Sequence, residues 1–281
     1  MVLELELKCN SQGDTVVAHQ YETHPMRASR PFRLDRVCAS EAVGSRRAYV
    51  YLRNNSPGLF AGDKLDIALN LRENTQLYLT EQSASKVHPM VEGMTATVNY
   101  QWDITQQAMV EFVAEPLILY RNSTLRQKTV VKMHSTASLF WSDLILPGRL
   151  ARGEFYQFRD YEHYLEVSSE EGELWFKERM YLQGKENLFR DSQLFASLPV
   201  LGNAIAILPN IEVNLLKNTL DSLENKNNCD LVAATSILPR DKGVIIRVIA
   251  AKTEQVKRYW YSVINVLRKL NNQFPLPKIP K

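Results

Sequence analysis

Apolar and polar residues alternate along most of this chain with a period of two. "LELELK", "YVYLRN", "LDIALNL", "TQLYLT", "ATVNYQW", "TVVKMH", "YLEVSS" and "ELWFKERMYL" each place apolar or aromatic side chains at every second position. Successive side chains of a strand point to opposite faces, so the pattern predicts half-buried strands of the antiparallel kind. The intervening "SPG", "REN", "EGM", "RNS", "PGR" and "EEGE" supply turn residues. Residues 1 to about 208 are expected to form a mainly β body of many short strands. Turn signals recur without a fixed-period repeat, which argues against propeller and leucine-rich arrays.

Two segments switch to helical spacing. Over about 210–223, Val213, Leu216, Leu220 and Leu223 fall on one face, with Asn210 placed to cap the start. Over about 253–270, Val256, Trp260, Val263, Leu267 and Leu270 do the same. Thr253 is the cap candidate there, Glu254 lies in the first turn, and Arg268 and Lys269 lie in the last. Two amphipathic helices in the C-terminal third are therefore expected. Between them "DLVAATSILPRDKGVIIRVIAA" reads as two strands apolar on both faces, buried by the helices. The tail 274–281, "FPLPKIPK", cannot continue a helix and is expected to be extended and mobile.

Composition narrows the classes. With 281 residues, 45% hydrophobic and 23% charged, the chain can bury a sizeable core as one long domain or two. A net charge of +3 does not make nucleic acid or anionic lipid the default partner. Six arginines between Arg27 and Arg47 are interrupted by Asp35 and Glu41 and lack interleaved aromatics, which favours a solvated or partner-facing surface. Cys9, Cys38 and Cys229 are too few and too scattered for a disulfide framework. "MVLELELK" has no basic start, and "LPVLGNAIAILPNI" is short and broken by Gly202, Asn203 and Pro209. Neither a secretory signal nor a membrane span is expected, and a cytoplasmic address is.

Most familiar chemistry is missing. In "RNNSPGLFAGDKL" the glycines Gly58 and Gly62 suggest a phosphate grip, but Asp63 sits where the anion would go and a strand follows instead of a helix. A tight hairpin connection is the better reading. "HPM" occurs at His24 and at His88, yet no Cys-x-x-Cys, His-x-His or His-x-x-x-His spacing accompanies it, so a structural zinc site is not expected. Strand alternation would put Glu111 and Glu115 on one face, either as an acid/base pair or as a face exposed to water or paired with arginines. Asp143 stands out within the apolar "LFWSDLIL". A buried carboxylate needs partners, and Arg149 or Arg152 could supply the charge.

In chain order, "SPGLFAGDKLDIALNL", "LYLTEQSASKV", "MVEFVAEPLILYRNS", "DLILPGRLARGEFYQF" and "ILPRDKGVIIRVIA" with the terminal helix resemble the conserved stretches of the UreD (UreH) family of urease accessory proteins. The likeness covers most of residues 45–270. It implies a single domain over 1–281, with a β-helix-like body and two helices. It also implies a non-enzymatic assembly factor that holds apo-urease together with UreF and, through UreF, the GTPase UreG. No cofactor is then held stably. Nickel is in transit along an internal path toward the urease active site, which sparse oxygen ligands suit better than a closed cage.

Within that reading Asp63, Ser83, Ser85, Glu111, Asp143 and Glu154 are the expected transient nickel contacts, with Arg149 and Arg152 as partners of the carboxylates. Two other classes remain open. One is a β-rich hydrolase using a Glu111/Glu115 or Asp143/Glu154 pair. The other is an interaction module without an ion path.

Overall fold

The computed structural model describes residues 1–34, 47–184, 186–224 and 230–280. Cys38, Cys229, Asp35 and Glu41 lie outside them. In chain order the strands are β1 (Val2–Cys9), β2 (Thr15–Glu22), β3 (Met26–Ala28), β4 (Ala48–Asn54), β5 (Lys64–Leu71), β6 (Gln76–Glu81), β7 (Ser85–Val87), β8 (Ala96–Ile104), β9 (Met109–Val113), β10 (Leu117–Leu119), β11 (Thr124–Met133), β12 (Ser138–Leu146), β13 (Asp160–Ser169), β14 (Leu174–Gln183), β15 (Val200–Ile207), β16 (Leu231–Ile237) and β17 (Val244–Ala250). The α-helices are α1 (Gln193–Ser197), α2 (Val213–Glu224) and α3 (Thr253–Leu270).

The chain winds between two sheets. One is ordered β14-β13-β11-β8-β5-β1-β2, the other β16-β17-β15-β12-β9-β6-β4-β3, and the short β7 and β10 pair with each other at a third face. The mainly β, β-helix-like body and the two long C-terminal helices are as expected. The pairing within the coil differs from the expectation: β5, β8, β11 and β13 run parallel, as do β4, β6, β9 and β12. Antiparallel pairs are confined to the outer strands, β1–β2, β3–β4, β13–β14 and the ladder β12–β15–β17–β16. Alternation marks a strand with one face on a core and the other outside it. A parallel coil with a packed lumen meets that condition without helices on both faces, so the pattern alone did not separate the two pairings.

The lumen is filled by inward rows such as Leu65, Ile67 and Leu69 of β5, Val98, Tyr100 and Trp102 of β8, and Val110 and Phe112 of β9. A second core lies outside the coil, where α2 and α3 cover the second sheet. On α3, Val256, Trp260, Val263, Ile264 and Leu267 are all at most 4% exposed. At about 1.5–3 kcal/mol for each fully buried large apolar side chain, this stripe is the main force docking the helix. Gly202 of β15 makes the approach possible, because a Cβ there would stand 2.9 Å from Val256 Cγ1. β12 is buried on both faces between these cores, which accounts for its unbroken apolar run.

Three local expectations are corrected. Helix α2 is capped by Glu212, whose carboxylate accepts the Asn214 and Leu215 N–H groups at 2.9 and 2.7 Å, rather than by Asn210. On α3 the cap falls at Lys252, one residue before Thr253, and its N–H donates to Gln255 Oε1 at 2.8 Å. The proline tail is extended but docked: Leu276 is 4% exposed, its N–H donates to Asn265 Oδ1 at 2.7 Å, and Tyr261 donates to its carbonyl at 2.8 Å. Tyr51 holds the Pro280 carbonyl further along. Prolines forbid the helix, but an apolar groove beside α3 takes the chain.

Candidate functional site

A cavity of about 130 Å³ opens inside the coil near the third face. Its apolar wall includes Leu65, Ile67, Val98 and Phe112, and its polar wall includes Glu81, Ser83, Ser85, Glu115, Asp143 and Tyr161. The corner from β6 into β7, "EQSASK", brings the hydroxyl residues Ser83 and Ser85 to that wall. Glu81 ends β6, and its carboxylate accepts the Glu115 N–H at 2.6 Å. Lys257 reaches in from α3 to the Glu115 carboxylate, and burial lowers the pKa of that lysine.

Asp143 shares its face of β12 with Trp141 and Ile145, both lumen residues, and is 6% exposed. Its Oδ1 accepts the Asn203 backbone N–H at 3.0 Å and the Asn203 side-chain amide at 2.9 Å. Its Oδ2 is buried without a hydrogen-bond partner among the described residues. The nearest basic atom is Nδ1 of His163, 3.5 Å away. The expected arginine partners are elsewhere. Arg149 makes a two-pronged pair with Glu154, and Arg152 is exposed and pairs with no carboxylate among the described residues.

The six expected contact residues therefore divide. Ser83, Ser85 and Asp143 come together on the cavity. Asp63 instead closes its own turn, accepting the Phe60 N–H at 2.8 Å. That loop is not a hairpin: it carries the chain from β4 in one sheet to β5 in the other, and Leu59 bridges to Val87 on the way. Gly58 has φ +154° there, and a Cβ on it would meet the Lys86 carbonyl oxygen at 2.5 Å. Its neighbour His88 stacks on Phe60 with ring centroids 4.4 Å apart, a packing role, while His24 is exposed.

Glu154 sits in the corner after β12, where the hydrogen bond from Arg149 holds its pKa below the usual glutamate range. Glu111 points outward under α3. Arg268 grips it through Nε at 2.9 Å and Nη2 at 2.6 Å, and Arg47 Nη1 lies 2.8 Å away. Burial by itself would raise the Glu111 pKa, but the two guanidinium charges outweigh it and hold the group below its ordinary value. The expected shared face of Glu111 and Glu115 is not formed: β9 ends at Val113, so Glu115 lies beyond the alternation, on the cavity. The Asp143/Glu154 pair is likewise absent, one carboxylate bound by Asn203 in the lumen and the other by Arg149 in its corner.

Glu81, Gln127, Tyr161 and His163 were missed as candidates. The signal was present in "DYEHYLEVSS", where alternation places Tyr161, His163, Leu165 and Val167 on one buried row. A histidine and a tyrosine in such a row call for polar partners. Burial, and secondarily the charge of Asp143, push the Tyr161 pKa well above normal. No group of three or more His, Cys, Asp or Glu close enough to hold a metal ion occurs among the described residues.

Fold and cavity define a β-solenoid with one helix-covered wall and a lumen carrying separated carboxylate and hydroxyl oxygens. The family model for the UreD urease accessory protein matches residues 2–281, and the chain belongs to that family. It is similar to the urease accessory protein UreD of Trichodesmium erythraeum (strain IMS101), 46% identical over 280 residues, 99% of this chain and 98% of the relative. UreD of Actinobacillus pleuropneumoniae serotype 5b (strain L20) is 26% identical over 272 residues, 96% of this chain and 98% of that protein. The urease accessory protein UreH of Helicobacter pylori (strain G27) is 25% identical over 236 residues, 84% and 85% of the two chains.

Proposed function

We propose that this protein serves urease maturation in the cytoplasm as a non-catalytic assembly factor, holding apo-urease with UreF and, through UreF, UreG, while nickel passes through its lumen. The observation that carries the reading is the cavity wall of Ser83, Ser85, Glu115 and Asp143 inside a chain that belongs end to end to the urease accessory family. Oxygen ligands spread along a cavity bind a divalent ion weakly enough to release it, which a cage of three or four ligands would not. Membership of an accessory family and the separation of both proposed carboxylate pairs favour assembly over hydrolysis.

The test is complementation of a strain lacking this chain, scored for urease activity, nickel per urease and co-purification with UreF and apo-urease. Asp143→Asn should leave the complex intact and lower the nickel content. An intact complex with unchanged nickel would point to a bridge without a conduit. Fully metallated urease in the strain lacking this chain would remove the reading altogether.

A further inference from the structure

We infer that β16 is the edge through which two copies of this chain pair, antiparallel and about a two-fold axis at Ala234. The inference does not depend on nickel passage, and no residue of β16 lines the cavity described above. β16 ends the second sheet, with β17 on one side and no strand on the other among the described residues. A strand in that position offers a row of backbone N–H and C=O groups as a template for a further strand, and native proteins blunt such edges with charge, proline, bulges or shortness.

The other three sheet ends carry those devices. β14 has Lys177, Glu178 and Arg179 at its centre and a register break opposite Val167 and Ser168. β2 has His19, Gln20 and Glu22 and a register break opposite Glu6 and Leu7. β3 is three residues long with Arg27 in the middle. β16, "LVAATSI", is seven residues without charge or proline and stays in regular register with β17 throughout. Arg247 of β17 stands opposite Ala234, but its guanidinium is held by Glu178 and Asn203 rather than shielding the edge.

The occupant follows from the register. The Ala251 N–H donates to the Asp230 carbonyl at 2.9 Å and the Leu238 N–H to the Gly243 carbonyl at 2.8 Å. In an antiparallel ladder Val232, Ala234 and Ser236 then bond toward β17, and the backbone groups of Leu231, Ala233 and Ile237 point to the open edge. A second β16 placed there with Ala234 opposite Ala234 sets Leu231 against Ile237, Ala233 against Thr235 and Val232 against Ser236. The hydrogen-bonding positions of each strand meet those of the other, and about eight backbone hydrogen bonds form. No charge meets a like charge, and alanine stands at the centre in a non-hydrogen-bonded pair, where side chains approach closest. On the exposed face of β16, Val232 is 50% exposed and lies beside Ala234 and Ser236, so pairing covers an apolar side chain. The two-fold leaves both α2 helices, which pack on β16, on one face of the joined sheet, and Leu215 of α2 is also 50% exposed. A contact that uses the same patch on both copies closes at two.

The experiment uses the purified full chain in sedimentation velocity over a range of concentrations, with hydrogen exchange followed by NMR at the Leu231, Ala233 and Ile237 amides. The unsubstituted protein should pass from monomer to dimer as concentration rises, and those three amides should gain protection in step, a readout independent of whether any variant folds. Ala234→Lys and Ala234→Glu each set like charges face to face at the axis and should weaken association about tenfold or more, while an equimolar mixture of the two should restore a dimer. Position 234 is exposed, so both variants should keep the circular dichroism of the original. A protein that stays monomeric, or a dimer whose three amides exchange at the monomer rate, would overturn the pairing. A mixture of the two charge variants that associates no better than either alone would do the same. Protection of those amides only in the presence of apo-urease or another co-purifying protein would show that the edge receives a strand from elsewhere, which equally overturns pairing between copies.

Discussion

Glu111→Gln is the most informative perturbation of the fold. The Glu111 side chain is 5% exposed and the Arg47 and Arg268 side chains facing it 2% each, so the substitution removes a buried carboxylate charge that both guanidinium groups face. Removing one partner from a buried ion pair costs about 3–5 kcal/mol, most of it from the charge left behind. At about 2 °C of melting temperature per kcal/mol in a chain of this size, the midpoint should fall by about 6–10 °C at pH 7. The assay is thermal unfolding followed by circular dichroism, repeated from pH 7 to pH 3. Because the folded pKa of Glu111 is depressed, its contribution is complete above the ordinary glutamate range and disappears as pH falls through the lower folded value. The gap between the two proteins should therefore close in acid, where protonated Glu111 resembles glutamine. A melting point within about 2 °C of the original at pH 7, or a gap that widens in acid, would refute the assignment of this cluster as the electrostatic clamp between β9, α3 and the start of β4.

Gly58→Ala should lower the urea midpoint at unchanged slope by an amount equivalent to about 1–3 kcal/mol, since its Cβ would collide with the Lys86 carbonyl; an unmoved midpoint would mean that the corner opens freely. Leu276→Ala should cost about 2 kcal/mol, the low end for a buried leucine, and speed hydrogen exchange at the Leu276 amide, whereas unchanged exchange would show that the tail is not held by this side chain. Gly202→Ala should destabilise the docking of α3 on β15 by about 1–3 kcal/mol, read as lost protection of the α3 amides, because the added methyl meets Val256 and Trp260.

Several features of this protein were set by local sequence. Alternation located the strands, helical spacing located α2 and α3 to within a few residues, and "SPG" marked the corner between β4 and β5. These succeed because side-chain direction within a strand or helix depends only on neighbours along the chain. Asp143 was identifiable for the same reason, a carboxylate in an otherwise apolar strand. The corner role of Asp63 and the separation of Glu111 from Glu115 were not readable, because each depended on where a strand ended and which sheet it joined.

Only the tertiary structure made the ladders parallel, since pairing is decided by strands a full coil apart in sequence. It also set Arg268 of α3 and Arg47 against Glu111, and brought His163 of β13 to within 3.5 Å of Asp143 on β12. Those juxtapositions join residues that share no local pattern. Whether a buried charge is clamped by arginine or left facing a cavity depends on the closing of the coil, which hydrophobic periodicity does not encode.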